Sequence, residues 1–358
     1  MSTSGASEDL RVGVGAILEA SGQPGPWSWH SVAADARHEI WRIRSGPVSL
    51  IVKVYRPQVD RYYHHRWRRE ERALDLLSRQ APGLAPEPHG AVLAPDAFAA
   101  VAMEDLGTDS LADRLETADS DERAGSVKRA VEALTAFHQA AARNSGMLRA
   151  LAYQSDLDRI TRDTLRRRLA IAAARLGDPS TAPEPDATPR AVAPQLPWQD
   201  LEAGIVRPLI RASRLVVHNG FSPLNLMPRP DGRLAVIDWE TLAVAAPALD
   251  AADLLTFPGF ALSADAIEDH AAQLAGASDA AAPIQVFWAA AAERSLTYAA
   301  TAAVRERRGQ AASQTDRAST YASRRRWYLG VFDETLERLD LDAGARRRIR
   351  GAVSGLNG

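Results

Sequence analysis

The sequence predicts an α+β chain with a small antiparallel strand-rich part followed by a larger, mostly helical part. Three observations carry this. Between residues 39 and 103 the apolar residues gather in short β-branched and aromatic runs separated by Gly and Pro. Beyond about residue 109 they recur at helical spacing over long segments. Within that helical region, residues 215–217, 226–227 and 234–238 interrupt the pattern with short apolar runs around a Pro-Arg-Pro-Asp-Gly turn, which reads as a small β-hairpin.

In chain order, residues 8–22 read as a short helix closed by Gly22 and the Gln23-Pro24-Gly25-Pro26 breaker. Glu39-Ile40-Trp41-Arg42-Ile43 and Val48 to Tyr55 read as strands joined by the turn Ser45-Gly46-Pro47, and Pro57 stops the second. Residues 60–80 read as a helix with Leu74, Leu76 and Leu77 on its apolar side and a basic start, His64-His65-Arg66-Trp67-Arg68-Arg69. That start reads as a solvated helix face, with anion contact as the alternative. A Pro-rich loop (Pro82, Pro86, Pro88) leads to the strand Ala97 to Met103, and Glu104-Asp105-Leu106-Gly107 breaks it. Helices are expected over 120–143, 155–176, 200–213, 284–307, 323–338 and 342–353. Residues 178–197, rich in Pro, Asp, Thr and Ala, read as an exposed, flexible loop. The expected division is an N-terminal part over 1–103, a hinge over 104–108 and a helical part over 109–358 that holds the hairpin region 214–240.

The composition is that of a globular chain, 46% hydrophobic and 25% charged, and the net charge of -2 gives no global bias toward nucleic acid or anionic membrane. With no cysteine, disulfides, thiolate nucleophiles and cysteine-ligated zinc are excluded. The polar, acidic start lacks a signal-peptide pattern, and no run reaches the roughly 20 apolar residues of a membrane span. The expectation is a cytoplasmic protein of unspecified oligomeric state. Of its 43 basic residues only Lys53 and Lys128 are lysines. Where arginine has replaced lysine almost everywhere, a surviving lysine points to a site that needs a compact ammonium rather than a planar fork. The ordinary alternative for Lys53 is a gatekeeper charge on an edge strand.

Polar residues in an apolar frame are densest over His218-Asn219-Gly220-Phe221-Ser222-Pro223-Leu224-Asn225 and Ile237-Asp238-Trp239-Glu240. Asn225 and Asp238 stand at strand ends joined by a tight turn. They fit either a turn-stabilising amide with a capping carboxylate, or two hard oxygens converging on one cation such as Mg²⁺. The two segments resemble the H-G-D-x-x-x-x-N loop and I-D-W-E motif of the aminoglycoside phosphotransferase and choline kinase superfamily, which has a bilobal protein-kinase-like fold. The resemblance spans roughly residues 28–256 and implies an enzyme that moves the γ-phosphate of ATP, or another nucleoside triphosphate, with Mg²⁺, to a small-molecule hydroxyl or a peptide Ser or Thr. It assigns metal binding to Asn225 and Asp238 and loop support to His218. Lys53 would contact the phosphates with Glu70 as its partner, or Glu71 one register on. Met103, Glu104 and Leu106 would form the adenine-binding linker, and Leu134 with Phe137-His138 the helix beneath the loop, although His138 by itself reads as a satisfied core histidine. Asp250, in Pro247-Ala248-Leu249-Asp250, would brace the loop.

Two departures stand out. The family aspartate that orients the acceptor hydroxyl is Gly220 here. Without that group the chain is a pseudokinase-like module engaging a peptide or partner protein, or a neighbour such as Ser222 or Glu240 substitutes, or the acceptor arrives already activated or deprotonated. Second, the expected nucleotide loop, Ala33 to His38, has no glycine, and Arg37 is its candidate phosphate contact. The chain has no Walker A motif, zincin motif or nucleophile elbow. Gly13-Val14-Gly15 has no preceding strand and lacks the third glycine of a dinucleotide fingerprint, so it is not read as one.

Overall fold

The computed structural model describes residues 6–20, 22, 25–34, 38–58, 63–146, 149, 160–180, 188–277, 284–311 and 315–356. The architecture is α+β. Five antiparallel strands form one sheet: β1 (Ser28–Ala34), β2 (His38–Ser45), β3 (Val48–Tyr55), β4 (Pro88–Ala94) and β5 (Phe98–Glu104), in the order β1-β2-β3-β5-β4. The helices α1 (Glu8–Ala20) and α2 (Tyr63–Gln80) accompany it. The chain divides into two compact units. The first comprises residues 1–117, 128–158 and 223–242, and the second residues 118–127, 159–222 and 243–358.

In the first unit, the two-residue period of strands sorts the sheet into two faces. Leu50, Val52 and Val54 of β3, Trp41 and Ile43 of β2, and Phe98, Ala100 and Ala102 of β5 share one buried cluster with Leu10, Val14 and Leu18 of α1. Gly13 serves this contact, because a Cβ there would lie 3.2 Å from the Phe98 ring. The intervening residues, including Ile51, Lys53 and Tyr55 of β3, alternate onto the opposite face. The amphipathic pattern of α2 buries Ala73, Leu74, Leu76 and Leu77. Two elements go beyond the expectations: β1 and β4 are strands where no strand is expected. Both lie at sheet edges, where Pro88 and Gly90 are tolerated and the ladder shifts register between them.

The remaining helices are α3 (Leu111–Leu115), α4 (Ser120–Arg143), α5 (Arg162–Gly177), α6 (Pro189–Val192), α7 (Trp198–Leu201), α8 (Arg207–Arg211), α9 (Ala248–Leu255), α10 (Ala264–Ala277), α11 (Ile284–Ala311), α12 (Thr315–Arg338) and α13 (Ala343–Ser354). A π-helical segment, Glu202–Val206, joins α7 to α8. Alanine lets α11 bury closely packed turns, with Ala289, Ala290, Ala291, Ala292 and Leu296 all inaccessible. Within the 178–197 segment, residues 181–187 lie outside the described residues, whereas Pro189–Val192 is helical with Thr188 as its cap.

The short strands pair differently from a single hairpin. β7 (Leu226–Pro228) pairs with β8 (Leu234–Val236) in the first unit. β6 (Leu215–Val217) pairs instead with β9 (Ala243–Ala245) in the second, giving the apolar Leu-Val-Val strand an equally apolar partner. Among the described residues no helix is long and apolar enough to cross a membrane.

Candidate functional site

In the first unit a cavity of about 440 Å³ is lined by β2 and β3 residues Ile40, Ile51 and Lys53, the β5 end and linker (Met103, Glu104, Leu106), and Asn225, Met227 and Asp238 of the β7–β8 hairpin. Arg37 lies outside the described residues.

Lys53 is 5% exposed. Its ammonium donates to Glu70 Oε2 at 2.7 Å and to Asp238 Oδ1 at 2.5 Å, and lies 3.1 Å from Glu240 Oε2. α2 therefore supplies Glu70 to the lysine, whereas Glu71 is only half-buried and carries no contact with it. Tyr55, two residues along β3 on the same face, donates its hydroxyl to Glu70. Burial disfavours the charged ammonium, but Asp238 and Glu70, and then Glu240, outweigh it and hold the Lys53 pKa well above the usual lysine range. Burial raises the Glu70 pKa, and Asp238 and Glu240 add to that while Lys53 opposes it.

Asp238 sits in the left-handed region, φ 68°, at the end of β8, where Ile237 N donates to the Asn225 carbonyl at 3.0 Å. This backbone bond ties the two expected ligand residues to neighbouring positions on the hairpin. One oxygen each from Glu70, Asp238 and Glu240 lies within 4.8 Å of the others. The Asp238 side chain is 32% exposed, against 1% for Glu70 and Glu240. Asp238 and Asn225, hard oxygen donors on the cavity wall, thus fit Mg²⁺, while Glu70 and Glu240 lie on the buried side of the lysine.

Glu240 is the residue whose place the sequence did not convey. Arg66 approaches its carboxylate at 3.2 Å and Arg69 donates to its carbonyl at 2.6 Å. The basic start of α2 is therefore not simply a solvated face: Arg69 is 7% exposed. The signal available was spacing, because positions 66, 69, 70 and 73 fall on one helical face and join Arg66 and Arg69 to Glu70 and the buried Ala73.

The linker is clamped from two sides. Arg42 makes a bidentate pair with Asp105, 2.7 and 3.0 Å, and donates to the Gly107 carbonyl at 3.1 Å. Arg229, on the β7–β8 turn, binds both carboxylate oxygens of Glu104 at 2.7 and 2.9 Å. Burial alone would raise the Glu104 pKa, yet the Arg229 bonds hold it below the usual carboxylate range.

The segment from His218 to Ser222 belongs to the second unit. His218 is fully buried, and its backbone N–H and that of Asn219 donate to the two oxygens of Asp250 at 2.9 and 2.8 Å. Asn219 has φ 63°, a left-handed conformation that Asn tolerates. Its Oδ1 accepts from Arg294 at 2.8 Å and Arg168 at 3.3 Å. Arg294 in turn reaches Asp253 at 2.9 Å, and Tyr298 donates to that carboxylate at 2.6 Å. Burial pushes Asp253 up to about 7 against the pull of Arg294 and Tyr298. Gly220 brings no side chain, and its carbonyl accepts from Ser222 N at 2.9 Å. His138 is buried in the first unit, beside Phe137, whose ring packs edge-on against Trp239 at 5.1 Å.

A family model described as the phosphotransferase enzyme family matches residues 28–284. No curated protein matches the sequence significantly. Solved structures with the same fold include LicA in complex with AMP, at 14% identity and a TM-score of 0.56, covering 92% of this chain and all of that one. An ethanolamine kinase from Plasmodium vivax aligns at 12% identity and TM-score 0.53, over 86% of this chain and 84% of its own. The gentamicin complex of APH(2")-IIa aligns at 14% identity and TM-score 0.51, over 89% and 95%. At these identities the likeness speaks to the fold.

Proposed function

The chain belongs to the phosphotransferase enzyme family, and from that premise we propose that it is an ATP- and Mg²⁺-dependent phosphotransferase acting on an oxygen of a small molecule. The observation that carries the reading is Lys53, the one buried lysine of an arginine-rich chain, held by Glu70 and Asp238 on the wall of the 440 Å³ cavity. The AMP bound by LicA supports a nucleotide as the occupant.

In this reading Lys53 binds phosphate oxygens and Glu70 keeps its ammonium directed at them. The linker over 104–108 acts as the hinge, where the backbone of Glu104 and Leu106 and the side chain of Met103 hold the adenine. Arg42 and Arg229 keep that linker fixed. Asn225 and Asp238 hold Mg²⁺, which when bound neutralises phosphate charge. His218 and Asp250 fix the backbone of the loop that presents residues 219–222. Arg37, in the expected nucleotide loop, is a further proposed phosphate contact.

Isothermal titration with ATP and Mg²⁺ tests the nucleotide half: binding is expected, and Lys53→Ala abolishes it. No binding by the parent chain removes the reading. A second reading, a pseudokinase-like module that binds a peptide acceptor or a partner protein without turnover, rests on Gly220. Its signature is ATP binding without ADP release, with turnover gained in Gly220→Asp.

A further inference from the structure

The second unit holds a cavity of its own, about 640 Å³, formed by α5, α6 and the run from α7 to α8. That volume lies in the range of small-molecule sites. Its wall carries Arg166, Arg190 and Arg207 against Asp163 and Glu202, together with the ring of Trp198. The proposed phosphotransferase chemistry uses none of these residues.

The backbone itself aims Arg207. Glu202–Val206 forms a π-helical turn, closed by the Arg207 N–H on the Glu202 carbonyl. In a regular α-helix position 206 would follow Glu202 one turn on. The wider turn inserts one residue, so Arg207 takes that place, while Gly204, Ile205 and Val206 are buried. Such turns are rare and gather at functional sites. Trp198, four residues before Glu202, shares its side of the helix and is half-buried. The indole N–H donates to the Ala193 carbonyl at 3.2 Å, which fixes the ring in the cavity wall.

The charges of the wall do not cancel. Glu202 is answered by Arg166 at 2.8 and 2.9 Å and by Arg162 at 3.0 Å. Asp163 lies in the first turn of α5, where the helix dipole favours a carboxylate. Arg190 and Arg207 are exposed, and neither side chain has a hydrogen bond or ion pair among the described residues. Two guanidinium groups on one cavity wall thus have no carboxylate partner, and the planar fork of a guanidinium suits an oxyanion.

We propose that this cavity binds a small aromatic oxyanion, with its carboxylate or phosphate group on Arg207 and Arg190 and its ring against Trp198. Stacking on the indole adds the worth of an aromatic pair to the charge-assisted bonds. The site lies wholly within the second unit and needs no nucleotide, so its failure leaves the phosphotransferase reading standing.

Titration calorimetry on the full chain, without nucleotide, compares benzoate and phenyl phosphate with acetate, benzyl alcohol and benzylamine. Saturable binding of one or both aromatic anions is expected, tighter than that of acetate, with none of the alcohol or the amine. The two anions tell a carboxylate ligand from a phosphate one. Arg207→Gln weakens the binding on the order of tenfold, the worth of one charge-assisted bond, and Arg207→Lys recovers part of the loss. Arg143→Gln, which removes an exposed arginine of the first unit, leaves it unchanged. Slower hydrogen–deuterium exchange over residues 198–207, in the parent saturated with the anion that binds, reads the same site without any variant. No saturable binding of either aromatic anion overturns the proposal. So does equal binding of acetate or benzyl alcohol, or an affinity that Arg207→Gln leaves as it was.

Discussion

Lys53→Met removes the ammonium that lies within reach of Glu70, Asp238 and Glu240 while keeping the side chain's length. In the structure Glu70 and Glu240 are 1% exposed and lie 2.7 and 3.1 Å from the ammonium. Deleting one partner of such a buried group costs about 3–5 kcal/mol, since the remaining charge stays desolvated. For a unit of this size that corresponds to a fall in Tm of roughly 2–4 °C per kcal/mol, hence on the order of 10 °C overall. The loss depends on pH. The Glu70 pKa already lies above its ordinary value through burial and the repulsion of Asp238 and Glu240, and Lys53 is what opposes them. Without the lysine the folded state holds the Glu70 proton to higher pH, while the unfolded state releases it near the ordinary value of about 4.3. Stability of the variant therefore falls as pH rises from about 5 and is partly restored by acid. Thermal unfolding followed by tryptophan fluorescence at pH 5 and pH 8 measures this, with Lys53→Met/Glu70→Gln as the partner variant. The double variant recovers part of the pH 8 loss because it removes the stranded charge. An unchanged Tm in the single variant, or no recovery in the double, refutes the buried three-carboxylate arrangement.

Other consequences are as direct. Asp250→Ala deprives the His218 and Asn219 amides of their carboxylate acceptor. A loss of about 1–3 kcal/mol is expected for two hydrogen bonds of ordinary worth, together with faster exchange of those two amide protons by hydrogen–deuterium measurement. Arg229→Ala releases Glu104 and the carbonyls of Gly83 and Ala85. It should weaken ATP binding through the loosened linker, read by titration calorimetry. Asp253 titrates near 7 when folded and near 4 when unfolded, so stability contributed by its neutral form is present at low pH and declines as pH rises through that interval. Urea midpoints of Asp253→Asn should lose this slope even though the substitution lowers stability overall.

The positions that line the candidate cavity were more legible than the elements around them. Lys53 was marked by rarity, and the period-2 strand placed it opposite Val52 and Val54. Asn225 and Asp238 were marked by motif and turn. The central strands β3 and β5 were read within about one residue because burial on both faces demands continuous apolar sequence. The edge strands β1 and β4 were missed because an edge needs only one paired side, so Pro88 and Gly90 leave a loop-like pattern that the ladder tolerates. The pairing of β6 with β9 was also hidden. Three-residue apolar strands carry no register information, and the choice of partner is decided by tertiary packing. Arg69 and Glu240 were read as surface and candidate base because single-residue reasoning prices each charge alone, whereas the fold buries them together.

That joint burial explains why a family-like I-D-W-E segment needs a basic α2 face. Glu240 lies 3.1 Å from Lys53 and 3.2 Å from Arg66, with Arg69 on its own carbonyl. Counted as formal charges, Glu70, Asp238 and Glu240 face Lys53, Arg66 and Arg69, so the group is balanced and each buried carboxylate has a cation within reach. A solvated α2 face would leave Glu240 to share a single ammonium with two other carboxylates, an arrangement that desolvation disfavours. Asp238 is the most exposed of the three acids, and in the proposed reading it is the carboxylate that exchanges its lysine contact for a cation without uncovering a buried charge. Arg66→Met should accordingly lower stability and disturb Lys53 through Glu240, and Arg66→Met/Glu240→Gln should recover more of the stability than it loses. If the single variant is as stable as the parent, α2 does not neutralise this cluster and the link between its basic face and the lysine fails.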